Sequence, residues 1–225
     1  MKDLDNRIAV MIFGKPGSGK STQAYFFVDK FGLNHFDTGK EIEKTVHDPV
    51  LANDPVIRRE REIFDLGLLN SDDWVIGIFE RSIQKNASEG RGMIFSGSPR
   101  RLKEGVRVLA ALEKAYGRNN IYAFVLDVDD DTAIYRNIRR RICKNCSRSV
   151  VWKPETVNLK ECLECSGSLF KRPLDTEEIM RKRLQEYANE TMPAIDFIKK
   201  SGVKFFNVDG GKEPNEVFVK LSSLV

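Results

Sequence analysis

The chain has 225 residues, 41% of them hydrophobic and 31% charged, which is enough apolar side chain for a buried core and too much charge for a protein embedded in lipid. No apolar run approaches the ~20 residues of a membrane span, and the first residues lack the apolar stretch of a secretion signal, so a cytoplasmic protein is expected. The formal net charge of +4 is mild, but the cations cluster, at Arg136, Arg139, Arg140 and Arg141 and again at Lys171, Arg172, Arg181, Lys182 and Arg183; such clusters suit a polyphosphate as well as a nucleic acid.

Taken in chain order, residues 8–13 form a short apolar strand running into Gly14-Lys15-Pro16-Gly17-Ser18-Gly19-Lys20-Ser21, which fits G-x-x-x-x-G-K-[ST]. Residues 21–28 contain neither Gly nor Pro, and Tyr25 with Val28 falls at helical spacing. Strand, loop and helix in that order form the context a phosphate-binding loop requires. The glycines let successive N–H groups point inward at phosphate oxygens, and the helix adds the positive end of its dipole. Lys20 is then expected to reach the β- and γ-phosphates and the Ser21 hydroxyl to ligate Mg²⁺. The bland alternative is a Gly-rich turn that binds nothing.

Residues 32–36 lead into Asp37-Thr38-Gly39, which opens a charged helical stretch; Thr38-Gly39-Lys40-Glu41 reads as a capping box with Thr38 as the cap. Phe64, Leu66 and Leu68 are expected in the core, as are Ile179 and Leu184. Further strands are expected at residues 93–95, ending at Ser96-Gly97-Ser98-Pro99-Arg100, at 121–126 and at 203–208. Strands spaced by helices imply an α/β fold, a parallel sheet covered on both faces with its sites at the carboxyl ends of the strands. His35 and His47 have no spacing that suggests a metal site or a catalytic base.

The four cysteines follow C-x₂-C-x₁₅-C-x₂-C, from Cys143 and Cys146 to Cys162 and Cys165. In a chain without a secretion signal this spacing reads as a closed tetrathiolate zinc site, structural because no position is left for water. Two disulfides or four free thiols are the alternatives. Trp152, inside the insert, is expected to pack the small unit around the metal.

With these pieces placed, the chain resembles an adenylate kinase with a zinc-bearing lid. The resemblance runs through residues 14–23, His35 to Gly39, residues 67–73, Gly97 to Arg100, Arg136 to Arg141, Arg172 to Asp175, Arg181 to Leu184 and Val208 to Gly210. It implies a P-loop NTPase-type core (1–37, 68–136 and 173–225), a helical nucleoside-monophosphate-binding insertion (38–67) and a lid (137–172). The implied reaction is Mg²⁺-dependent phosphoryl transfer from ATP to AMP, giving two ADP. The resemblance assigns Gly14, Pro16, Gly17, Ser18, Gly19, Lys20, Ser21, Thr22, Arg136 and Arg140 to ATP. To the monophosphate it assigns Thr38, Lys40, Gly97, Arg100, Glu104, Arg172 and Arg183. Lys20, Arg100, Arg136, Arg140, Arg172 and Arg183 are the cations expected around the transferring group. For Arg139, Arg141, Arg181 and Lys182 a solvated helix face is expected. The partners implied are the two nucleotides, with neither nucleic acid nor membrane, and a monomer.

Most departures from the family pattern fall on the acceptor side. Lys40 and Glu43 stand where the family has an aspartate and an arginine, and being three apart they share a helix face, so Lys40 either neutralises Glu43 or turns to the ligand. Lys44 is a second candidate cation. Ser96 and Ser98 replace an aspartate and an aromatic. Glu104 replaces a glutamine that reads adenine, and a carboxylate accepts hydrogen bonds without donating them, which leaves CMP or GMP open as acceptors. Leu174 replaces the first of two aspartates and leaves Asp175 alone. Beside an active kinase, two further readings stand: a regulatory nucleotide-binding protein with weakened acceptor chemistry, and a zinc module for nucleic acid joined to an ATPase.

Overall fold

The computed structural model describes residues 7–66 and 68–225; the reading of residues 1–6 as lacking a signal, and Gly67 as a domain edge, lie outside them. In chain order the elements are β1 (Ala9–Gly14), α1 (Lys20–Phe31), β2 (Asn34–Phe36), α2 (Thr38–Val46), α3 (Pro55–Asp65), α4 (Asp72–Ser88), β3 (Met93–Ser96), α5 (Leu102–Tyr116), β4 (Ile121–Asp127) and α6 (Asp130–Ile138). Three short strands follow, β5 (Arg141–Cys143), β6 (Ser149–Val150) and β7 (Leu169–Phe170). The chain continues through α7 (Glu177–Glu186), a π-helical turn (Tyr187–Thr191), α8 (Met192–Lys200), β8 (Lys204–Asp209) and α9 (Pro214–Ser222). No helix among the described residues is long and apolar enough to cross a membrane.

Five strands build one parallel sheet in the order β2-β3-β1-β4-β8. β1 is apolar on both faces because both are covered. Ala9, Met11 and Phe13 pack with Phe79, Ile83, Val108, Leu112 and Ile198 on one side. Ile8, Val10 and Ile12 pack with Ala24, Phe27, Val217 and Leu221 on the other. The strand order reverses at β1, so the carboxyl ends of β1, β3 and β4 open a crevice at the switch point.

The four strands expected from sequence are present, each within a residue or two of its expected bounds. β2 was not expected as a strand: Asn34–Phe36 is too short to show periodicity, and its place on the sheet edge comes from pairing with β3. Leu66 and Leu68 are 73% and 61% exposed rather than in the core, because both lie past the end of α3; Phe64, one turn earlier, does pack against the core. On α7 the core residue is Met180, with Ile179 and Leu184 only half-buried. The helix phase is therefore one residue away from the expected one.

α2 and α3 form a small helical unit. Asp54 caps α3 through Val56 and Ile57 N–H, with Pro55 at its first position. Arg61 donates to the Val46 carbonyl, and His47 pairs with Asp65 at 3.3 Å, which ties α2 to α3. Buried Glu60 accepts from Asn70 Nδ2 at 2.9 Å and from Ser71 N at 3.0 Å, fixing the return to α4. β5 pairs antiparallel with β6 and β7 to make a second sheet that carries the cysteine segment.

Candidate active site

The loop between β1 and α1 lies at the crevice. Gly14 has φ +142°, and a side chain there would collide with the Leu126 carbonyl and Ser18 Oγ. Gly17, at φ +87°, lies against the Ala133 carbonyl and Asn137 of α6, so a Cβ would overlap them. These two glycines let the loop turn while pressed between β4 and α6. Lys20 Nζ donates to the Gly14 and Lys15 carbonyls at 2.7 and 2.6 Å. Burial, with Arg100 and Arg140 nearby and Asp37 opposing, pushes the Lys20 ammonium down to about 7. Lys15 pairs with Asp130 at 2.6 Å and holds the loop to α6.

The remaining cations converge on the same place. Asp175 is 1% exposed and accepts from Arg140 Nε at 3.1 Å and Nη2 at 2.8 Å, with Arg183 Nη1 at 3.8 Å. Burial lowers the Arg183 pKa; Asp175 opposes, while Arg100, Arg140 and Arg172 add to the lowering. Lys20, Arg100, Arg140, Arg172 and Arg183 thus share one electrostatic neighbourhood. Arg100 is exposed, and its Nε donates to the Gly97 carbonyl at 3.0 Å. Arg136 faces another way: it donates to the carbonyls of Gly210 and Gly211 at 2.7 and 2.9 Å. Arg181 and Lys182 pair with Glu177 and Glu178 one turn away on the surface of α7, as expected of a solvated face. Arg139 stacks on Tyr135. Arg141 does not lie on such a face: it donates to the Leu159 and Thr156 carbonyls and stitches the cysteine segment together.

On the other side of Lys20, the end of β3 and the start of α2 form the second wall. Gly97 approaches the Lys20 stem so closely that a Cβ would sit 3.4 Å from Cε. The cap of α2 is Asp37, whose carboxylate accepts from Lys40 N, and not Thr38. Both residue types cap well, and taking the cap one residue earlier frees the Thr38 hydroxyl to donate to Ser98 Oγ at 2.6 Å. Ser96 pairs with His35 Nε2 at 2.7 Å, and burial, opposed by Asp37 and assisted by Lys40, pushes the imidazole down to about 4. His35 is therefore neutral at pH 7. Lys40 does not pair with Glu43; its ammonium donates to the Tyr25 hydroxyl at 2.7 Å. Lys40, Glu43, Lys44 and His47 line a cavity of about 450 Å³ on one face of α2. Glu104 is buried, and one carboxylate oxygen accepts from Arg100 N at 2.8 Å. Burial raises its pKa against that bond. Glu104, in the first turn of α5, thereby ties down the residue just before the N-cap Arg101, which itself provides no side-chain cap. Tyr25 and Asp37 were not expected at the site. Asp37 had a signal, a good cap residue directly before Thr38-Gly39, while Tyr25 had none.

The four cysteines lie together, with every Sγ within 4.8 Å of the others. Cys143 and Cys165 are 3.4 Å apart and Cys146 and Cys162 3.6 Å. Thiolates about 2.3 Å from one tetrahedral ion stand roughly 3.8 Å apart, whereas a disulfide needs about 2.05 Å. The two halves repeat one geometry. Ser147 and Ser166 follow the pairs with φ 59° and 54°, and their N–H groups donate to the Cys143 and Cys162 carbonyls. A Cβ at Gly167 would meet Cys143 Sγ and Asn145, which is why the second half closes on a glycine. The donor set and spacing fit a tetrahedral, thiophilic ion, and no other metal-holding group of His, Cys, Asp or Glu is present among the described residues.

The comparisons agree with this geometry. Residues 12–203 match the family model "Adenylate kinase". The adenylate kinase of Thermosipho melanesiensis is 30% identical over 218 residues, covering 96% of this chain and 98% of that protein. The adenylate kinase of Thermodesulfovibrio yellowstonii is 32% identical over 221 residues, with 96% and 98% covered. That of Methanothrix thermoacetophila is 31% identical over 218 residues, with 96% and 97% covered. With a phosphate loop at the switch point, arginines gathered beside its lysine and a match along nearly its whole length, the chain belongs to the adenylate kinase family.

Proposed function

We propose that the enzyme transfers the γ-phosphoryl group of ATP to AMP, with residues 14–22 holding the donor phosphates and the α2–β3 wall holding the acceptor. The gathering of cations beside the phosphate loop carries this reading: Arg100 and Arg140 near Lys20, and Arg183 sharing Asp175 with Arg140 and neighboured by Arg100 and Arg172. In the step, the bond from the γ-phosphorus to the bridging oxygen breaks, a bond to an AMP phosphate oxygen forms, and ADP leaves. The acceptor oxygen is already anionic near neutral pH, so no general base is needed; the site has to supply position and positive charge. Arginine suits this, since its planar fork makes paired bonds to phosphate oxygens. Asp175 holds Arg140 in one orientation for that role, and Lys20 exchanges loop carbonyls for phosphate oxygens. Arg136, anchored on Gly210 and Gly211, is assigned to the donor nucleotide away from the transferring group.

Ser21, in the first turn of α1, is the proposed protein ligand of the Mg²⁺ bound with ATP, which would neutralise charge developing on the phosphates. We assign Cys143, Cys146, Cys162 and Cys165 to zinc, which when bound would stiffen a lid of residues 137–172 too small to have a core of its own. Residues 38–67 are the proposed acceptor domain and the rest the core. Closure of both over the nucleotides excludes the water that would otherwise take the phosphoryl group. A reducing cytoplasm fits four cysteines that form no disulfide, and a monomer is the proposed state.

The test is ADP formation from ATP with AMP, CMP, GMP, UMP or dTMP offered one at a time. Turnover with AMP well above that of Lys20→Ala is expected. No turnover with any acceptor would refute the kinase reading, and turnover with CMP or GMP alone would keep the reaction and replace the acceptor.

A further inference from the structure

Tyr25 lies on α1, five residues after the phosphate-loop lysine, and touches three parts of the molecule. Its ring meets His35 edge-on at 5.0 Å. Its hydroxyl donates to the Cys146 carbonyl at 3.3 Å and accepts from Lys40 Nζ at 2.7 Å. The Arg148 guanidinium approaches the ring, 5.0 Å from its centroid, whereas Lys40 Nζ, 2.7 Å from the hydroxyl and 5.4 Å from the centroid, lies beyond the hydroxyl near the ring plane. Arg148 is held there by Asp29 of α1 at 2.6 Å and by Glu164 at 3.5 Å. Cys146 and Arg148 belong to the proposed lid, Lys40 to the proposed acceptor domain, and Tyr25 to the core.

We propose that Tyr25 is a positioning residue that couples the lid to the acceptor helix α2, so that docking of one against the core stabilises docking of the other. The hydroxyl provides a direct mechanism: donating its proton to the Cys146 carbonyl makes its oxygen a better acceptor for Lys40, and binding Lys40 makes the O–H a better donor. The ring adds an attractive surface for Arg148, which helps hold the lid segment where the Cys146 carbonyl meets the hydroxyl. Asp29 and Glu164 neutralise Arg148, so the second cation does not repel the first. The phenol offers a donor and an acceptor on one oxygen, and a π face beside them. The inference rests on the domain division proposed above, and it does not depend on which nucleotide is the acceptor.

Amide hydrogen exchange of the metal-loaded, nucleotide-free enzyme tests it. Arg148→Met is expected to speed exchange in α2 about two- to fivefold, the worth of an exposed cation–π contact, with the metal content unchanged. The same substitution is expected to have no effect on α2 in the Tyr25→Phe protein, which lacks the hydroxyl that Lys40 reaches, and none in the Tyr25→Leu protein. An α2 indifferent to Arg148→Met, or one that responds equally in the Tyr25→Leu background, would overturn the proposal. If Arg148→Met loses its metal, Asp29→Asn, which frees Arg148 from α1 without touching the cysteine segment, carries the same expectation and the same refutation. A protein that shows this coupling yet transfers no phosphoryl group would keep the inference and refute the proposed function instead.

Discussion

Asp175→Asn probes the cation cluster most directly. The carboxylate is fully buried, takes two guanidinium nitrogens of Arg140 at 2.8 and 3.1 Å, and has Arg183 at 3.8 Å. The amide keeps the volume but removes the charge and turns one acceptor into a donor aimed at a guanidinium. Breaking a buried pair from one side costs ~3–5 kcal/mol. Arg140 is 24% exposed, so water recovers part of that, and about 2–3 kcal/mol of stability is expected to be lost. For a chain of this size each kcal/mol lowers the melting midpoint by ~2–4 °C, which gives a drop of roughly 4–12 °C by calorimetry. Arg140 and Arg183 then lose their fixed aim at the phosphates, and kcat/KM is expected to fall about 10- to 100-fold, ~1.4–2.7 kcal/mol of transition-state stabilisation. Metal content should stay the same, because the cysteines lie outside this contact. A variant that melts within 2 °C of the parent, a threshold set by the ~2–4 °C per kcal/mol above, with kcat/KM unchanged, would refute the reasoning.

Three further outcomes are expected. Lys20, near 7 in the folded enzyme against 10.5 unfolded, is mostly neutral at pH 8, and phosphate oxygens should recharge it. ATP binding is then accompanied by uptake of nearly one proton at pH 8 and almost none at pH 6, read from the buffer dependence of the calorimetric enthalpy; no dependence at pH 8 would count against it. Between pH 7 and 10.5 the unfolded chain holds the proton that the folded one has released, so the stability of the free enzyme should rise with pH across that window. Glu104→Gln keeps an acceptor for Arg100 N and adds a donor, so KM for AMP should fall by roughly two- to twelvefold, the worth of one hydrogen bond of ~0.5–1.5 kcal/mol. Because the folded carboxyl titrates above its ordinary range, the stability it contributes falls as pH rises from the ordinary value through the folded one. The amide should remove that decline and leave the melting midpoint at pH 7 equal or higher. For the lid, metal analysis should find about one Zn²⁺ per chain, with the four thiols unreactive until a chelator is added; four reactive thiols and no metal would refute the site.

Much of this was legible in the sequence for identifiable reasons. The phosphate loop and strands β1, β3 and β4 announce themselves because a buried parallel strand must be apolar on both faces and the loop must be glycine-rich; edge strand β8, mostly unburied, shows only by the apolar run at Phe205 and Phe206. The cysteine pairs announce themselves by spacing. What stayed hidden is what tertiary contact decides. β2 has three residues and becomes a strand only by pairing with β3. Thr38 and Asp37 are equally good caps by type, and the Ser98 hydroxyl across the crevice takes Thr38 out of that role. Arg141 looks like its neighbours in a basic run, yet strand β5 turns it onto the Thr156 and Leu159 carbonyls. Tyr25 is one aromatic among several on α1, and only the fold brings Lys40 and Arg148 to it.

The acceptor side departs from the family pattern at Lys40, Glu43, Ser96, Ser98 and Glu104, and the question is whether these changes mark erosion or reorganisation. Erosion by drift removes partners and leaves buried polar atoms stranded, at a cost of ~1–3 kcal/mol each. Here the buried replacements have partners: Ser96 has His35, Ser98 has Thr38 and Glu104 has Arg100 N–H. Lys40 has Tyr25. Among the described residues the buried side-chain atom left without a partner is Gln23 Oε1, on α1, whose amide nitrogen bonds the Pro214 carbonyl. Glu43 alone stays exposed, and it shares its cavity with Lys40, Lys44 and His47, so lysines outnumber the carboxylate and the field still favours a phosphate. Substituted residues that are buried yet partnered fit the proposed acceptor wall being rebuilt with different side chains better than its being lost.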